Sequence, residues 1–204
     1  MAGLLCLSML LLMLCVEKIE QKTSHTLIEY ITKLFHHYNY AEKMWQDAGF
    51  LNGKADTRHA MKQLAHYIES VPEKYLAFDE ATLLQPPAPG KWSRKQVLGH
   101  LADSALNNLK RFTEIQFTAQ PYTIQAYRQE ELVQVNNYQH LPLLHLLELW
   151  QSLNQQIVYV VANIPAEKMH YAVNPQYGNA ETQTLAWVIC DYVAHMEHHW
   201  KTVF

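Results

Sequence analysis

Three histidines stand near the end of the chain in "DYVAHMEHHWKTVF" (191–204): His195, His198 and His199. His195 and His199 are four residues apart, so on a helix their side chains leave adjacent turns toward one point. A divalent metal can use that spacing, because neutral imidazoles on successive turns can share an ion at about 2.0–2.1 Å. On the same helix Leu185, Val188, Ile189, Tyr192, Met196 and Val203 form an apolar stripe. With 3.6 residues per turn, His199 falls near the centre of that stripe, His195 on its flank and His198 well away. The pair alone is a weak signal, since two such histidines are more often partly exposed surface residues. The pattern is not H-E-x-x-H either: Met196 stands where that metalloprotease motif carries its glutamate.

A third ligand must come from another helix, and His100 in "WSRKQVLGHLADSALNNLKRF" is the best candidate. Its own helix has an apolar stripe of Val97, Leu98, Leu101, Ala105, Leu109 and Phe112. His100 lies to one side, and Ser104, Asn107 and Arg111 follow it at spacings of four, three and four. A polar line of this kind beside a core stripe suits the inner end of a groove; a solvated flank is the other reading, although lysines and glutamates would be commoner there.

The elements that would position these residues are helices. The 204 residues are 49% hydrophobic and 17% charged, a globular composition with room for one domain and an extension. Segments of helical periodicity run over about 24–47, 57–78, 93–117, 142–163 and 181–204. Ser93 is the expected N-cap of the third, and Pro72 is expected to kink or split the second. Residues 121–141 form a long ordered connection with at most one short helix, and connections of that length are often functional. No segment shows strand alternation. The class is therefore all-α, a four-helix bundle over 57–204, with a helical extension at 1–56. His36 and His37 in the extension read as helix-surface residues.

Charge and cysteines narrow the function. A net charge of −3 without a basic face excludes a nucleic-acid partner. Cys6, Cys15 and Cys190 are odd in number and widely spaced, which fits neither a disulfide framework nor a thiolate zinc site and favours the cytoplasm. The uncharged run "AGLLCLSMLLLMLCV" (2–16) is shorter than the roughly 20 apolar residues of a spanning helix. It lacks the basic n-region and small-residue cleavage site of a signal peptide. An accessory helix or a start codon assigned too far upstream is expected, with a membrane anchor and an export signal as alternatives.

Taken together, "GKWSRKQVLGHLADSALNNLKRF" and the distant "DYVAHMEHHWKTV" resemble the DinB-like (DinB/YfiT-type) superfamily of metal-binding four-helix bundles. In that family a Trp-Ser pair opens a bundle helix, a histidine in an H-L-x-D context is one metal ligand, and H-x-x-x-H on the last helix provides two more. The matching positions are Trp92 and Ser93, His100 with Asp103, and His195 with His199. "YRQEELVQVNNY" (127–138) and "LLELWQSLN" (146–154) extend the resemblance, which spans about 57–204. It implies metal binding and, as is common among these bundles, a homodimer.

Three imidazoles leave a metal with open positions, the pattern of a catalytic site. Zinc or nickel comes first, with manganese or iron as further options. An open position takes water, with its pKa lowered toward neutrality, or a thiol as thiolate. The resemblance thus implies a metal-dependent hydrolase or a transferase using a low-molecular-weight thiol on a small-molecule substrate. A metal-containing binding or stress-response module without turnover is the alternative. Asp103 is the candidate catalytic carboxylate or fourth ligand, with a helix-surface role as the other reading. Asp191, one turn before His195, is expected to orient its imidazole. Asn107 and Arg111 could hold an anionic or amide part of a substrate or tie helices together. Tyr127 and Gln129 are expected to cover the cleft, and Trp92 to anchor its helix start.

Overall fold

A computed structural model describes residues 55–175 and 181–204; the expected helix over 24–47, the apolar run 2–16 and residues 1–54 as a whole lie outside them. Four long helices carry the structure: α1 (Ala55–Leu76), α3 (Arg94–Glu114), α5 (Leu143–Ala162) and α6 (Leu185–Val203). Two shorter helices, α2 (Glu80–Leu84) and α4 (Gln129–Val135), lie in the connections. The four-helix bundle of the sequence reading is the observed architecture.

Each long helix packs on two others. Helix α3 lies against α5 and α6, and α1 lies against the same two, so α1 and α3 face each other diagonally. The contact of α3 with α5 is the most extensive, while that of α3 with α6 is looser. Between the helices lie Tyr75, Leu98, Leu101, Phe112, Trp150 and Tyr192, all essentially without solvent exposure. No helix among the described residues is long and apolar enough to cross a membrane.

Local chemistry sets the helix ends. The Ser93 side chain accepts from the Gln96 amide and the Gln96 side chain accepts from the Ser93 amide, a capping box that starts α3. Thr184 caps α6 by accepting from the Trp187 amide. Proline in a helix interior removes one ladder hydrogen bond, yet Pro72 neither splits nor ends α1. The Ile68 carbonyl that would accept from residue 72 instead takes the Gln151 Nε2 donor at 2.9 Å. A side chain 83 residues away thus supplies the bond that proline lacks, and the expected break does not occur.

Strands are present, contrary to the sequence reading. Tyr122–Thr123 (β1), Ala172–Asn174 (β2) and Gln183–Thr184 (β3) form a small sheet in the order β1-β2-β3. The first pair is parallel, with Tyr122 opposite Val173, and the second antiparallel, with Val173 opposite Gln183. Two or three residues are too few to show alternation. The sheet ties the long connection to the start of α6 and fixes one end of the groove between α3 and α6.

Candidate metal centre and adjoining cleft

The looser seam between α3 and α6 holds the three histidines. Ring centroids of His100 and His199 are 4.8 Å apart, those of His100 and His195 5.4 Å, and those of His195 and His199 4.7 Å. One ligand atom from each ring lies within 4.8 Å of the others, and Nε2 of His195 is 3.2 Å from Nε2 of His199. Two nitrogens on one tetrahedral ion stand roughly 3.4 Å apart, given bonds near 2.1 Å. The α6 pair already has that spacing, and a small ring movement would bring His100 to it.

His100 is fully buried, and among the described residues neither of its ring nitrogens has a hydrogen-bond partner. A buried polar group without a partner carries a desolvation cost of about 1–3 kcal/mol. The Trp92 ring lies 4.8 Å from that of His100, so this half-buried indole covers the histidine as well as standing beside the helix start. Burial depresses the affinity of the rings for protons: His100 is lowered to about 3 and His199 to about 4, with neighbouring histidines adding to both effects. His195 is also lowered by burial, against an opposing pull from Asp191. All three rings are therefore neutral near pH 7, the state in which imidazole binds a metal. A divalent ion fits this donor set: three neutral imidazoles converge, each offering one nitrogen, and neither nitrogen of His100 has another partner among the described residues.

Asp103 does not join the cluster. Its Oδ1 accepts from Tyr138 Oη at 2.6 Å and from Asn136 Nδ2 at 3.2 Å, while the buried Oδ2 has no partner. Burial raises its pKa, partly offset by those two hydrogen bonds. The carboxylate thus ties α3 to the segment after α4. Tyr138 also packs so closely on Gly99 that any side chain there would overlap its ring.

Beside the histidines a cleft of about 410 Å³ opens between α3 and α6. Its α3 wall is Ser104, Asn108 and Arg111; its α6 wall includes Trp187, Asp191, His195 and His198; Tyr127 and Gln129 border it from the long connection. Arg111, Tyr127, Gln129 and Asp191 therefore meet in one cavity with His195. Asn107 does not line it: its Nδ2 donates to the Asp103 carbonyl at 2.8 Å. The polar line along α3 continues through Asn108 instead, one residue away, which the sequence reading missed. Spacing could have found it, since Ser104, Asn108 and Arg111 follow each other at four and three residues. Asp191 makes no hydrogen bond to His195 among the described residues and acts on it through charge.

Comparison with known proteins places these residues in context. A family model described as the DinB superfamily matches residues 56–203. A Halalkalibacterium halodurans protein named "Putative metal-dependent hydrolase BH0277" is 25% identical over 124 residues, covering 61% of this chain and 70% of the relative. A similarly named Oceanobacillus iheyensis protein is 24% identical over 149 residues, or 71% of this chain and 81% of that one. YfiT from Bacillus subtilis, described as a probable metal-dependent hydrolase with an unusual four-helix bundle topology, matches in structure with a TM-score of 0.64. That match is 21% identical and covers 72% of this chain and 83% of YfiT; it supports the fold.

Proposed function

Since the chain belongs to the DinB superfamily, we propose that it is a metal-dependent hydrolase in which His100, His195 and His199 hold one divalent ion. Zinc or nickel suits the all-imidazole donor set best. The observation that carries the reading is the orphaned ring of His100: a fully buried imidazole with neither nitrogen engaged, facing two further imidazoles. When bound, the ion supplies Lewis-acid polarisation and draws the pKa of water toward neutrality. The names of the Halalkalibacterium and Oceanobacillus relatives support the same chemistry.

The chain's own residues set the conditions. Burial keeps the three rings unprotonated. Trp92 shields one side of His100 from solvent. Asp191 places a negative charge near His195 and strengthens it as a donor. The cleft along α3 and α6 admits a small substrate to the His195 side of the cluster, with Tyr127 and Gln129 at its border.

The test is turnover of a panel of small esters and amides, with and without a low-molecular-weight thiol, by protein of known metal content. Hydrolysis that rises with metal occupancy, stops with chelation and is absent in His100→Ala supports the proposal. Turnover that requires the thiol assigns S-transfer to the same centre. Full occupancy without turnover of either kind contradicts catalysis and favours a metal-containing binding module.

A further inference from the structure

Arg111 is 8% exposed, yet it is a cation that stays protonated in proteins. Among the described residues it has no carboxylate within ion-pair distance. Its Nη1 donates to Asn108 Oδ1 at 3.2 Å, its Nη2 donates to the Gln125 carbonyl at 3.1 Å, and its guanidinium carbon lies 5.7 Å from the centre of the Tyr127 ring. Neutral oxygens and an aromatic ring fix the group in place without cancelling its charge. A guanidinium has five N–H donors, of which these contacts use two, and the side chain lines the cleft that also reaches His195. A buried charge normally has a counter-charge. Among the described residues the one acidic residue on the cleft wall is Asp191 on the opposite helix, which influences Arg111 only at longer range.

From this arrangement we infer that the substrate carries a carboxylate, or a planar anion like it, at the end remote from the reacting bond, and that Arg111 receives it. The inference rests on the metal centre proposed above and adds the substrate class. Helix α3 fixes the geometry: His100 and Arg111 are eleven residues apart on one helix, about 16 Å along its axis at 1.5 Å per residue. His195 and Arg111 border the same cleft, so a ligand there can reach toward both ends of it. A bidentate contact between guanidinium and carboxylate gives planar recognition that lysine would not reproduce. The anion meets a preset cation, so little ordering cost remains at binding.

The experiment uses the zinc-loaded full-length chain and a series of alkyl hydroxamates, which chelate metal ions, ending in either a carboxylate or its methyl ester. Linkers run from short to long, and binding is followed by calorimetry. The expected result is that one linker length prefers the acid over the ester by roughly tenfold, the scale of a charge-assisted hydrogen-bonded pair. Arg111→Gln should remove the preference while leaving zinc content and the affinity of the esters unchanged. Equal affinity of acid and ester at every length in the wild-type protein overturns the inference while leaving the metal centre intact. An acid preference that persists in Arg111→Gln overturns the assignment to this residue. Failure of every hydroxamate to bind, or of zinc to load, overturns the metal reading and the inference with it.

Discussion

Two seams of the bundle treat polar groups in opposite ways. Along α5, the buried amides are committed to structure, Gln151 toward α1 and Asn154 toward its own helix and α6. Gln151 donates to the carbonyl that Pro72 leaves free; Asn154 donates to the Trp150 carbonyl at 2.8 Å and accepts from Tyr192 Oη at 2.5 Å. Left over there, among the described residues, are the indole N–H of Trp150 and that of Trp200 packed against it, each a single donor on a large apolar ring. Between α3 and α6, among the described residues, His100 has two idle nitrogens and Arg111 no direct counter-ion. A fold gains nothing from such groups by themselves, since each costs more buried than solvated. The first seam shows what this sequence does with polar residues whose role is to hold helices together; the second shows residues arranged for something that binds.

The largest effect should come from emptying the second seam. His100→Ala should reduce bound metal from about one ion per chain to near none, measured by elemental analysis, and abolish any metal-dependent turnover. Without metal the same variant should unfold at a urea concentration close to that of the wild type, because it removes an unpaired polar ring along with its packing. A variant that retains metal would break the contrast between the seams.

Acid should expose the second seam next. Above the ordinary histidine value of 6.5, both folded and unfolded chains hold the rings neutral. Below it, down to about 3 for His100 and about 4 for His199, only the unfolded chain takes up protons. The metal-free protein should therefore lose stability as pH falls through that window. The slope is at most about 1.4 kcal/mol per pH unit for each ring, and smaller for the partly exposed His199. Urea midpoints at pH 7.5, 6 and 5 measure it, and His100→Ala should flatten the profile.

A probe of the first seam sharpens the comparison. Gln151→Ala should leave the Ile68 carbonyl unpaired at a cost of about 1–3 kcal/mol, whatever the metal content. In a Pro72→Ala background the alanine N–H can serve that carbonyl, so the same change should cost less. Additive costs would show that the two residues are not coupled in this way.

The smallest effect is expected at Asn107, whose amide folds back on its own helix outside the cleft. Asn107→Ala should leave metal content unchanged and alter stability by no more than about 0.5 kcal/mol. A clear loss of substrate affinity in that variant would return Asn107 to the site.

These residues also show how much the sequence disclosed. The α6 pair was legible because four residues on a helix is a local relation. The bundle was legible from long apolar stripes. Stripe periodicity left His100 on a flank; it is buried because Trp92 and α6 cover that flank, and a helix does not announce which neighbour will cover it. Asn107 and Asn108 are adjacent amides, and the choice between them is set by where α6 and the long connection close the cleft. Tyr138 with Asp103 and Gln151 with Ile68 are tertiary pairs, 35 and 83 residues apart. Strands of two or three residues exist because β2 has partners on both sides, and not from any pattern of their own.

The most direct measurement is X-ray absorption at the metal edge of the purified full-length protein, compared with His100→Ala. The account predicts one ion per chain with three imidazole nitrogens at about 2.0–2.1 Å, and loss of the bound ion in the variant. An ion held without imidazole, or a spectrum that the substitution leaves unchanged, would contradict it.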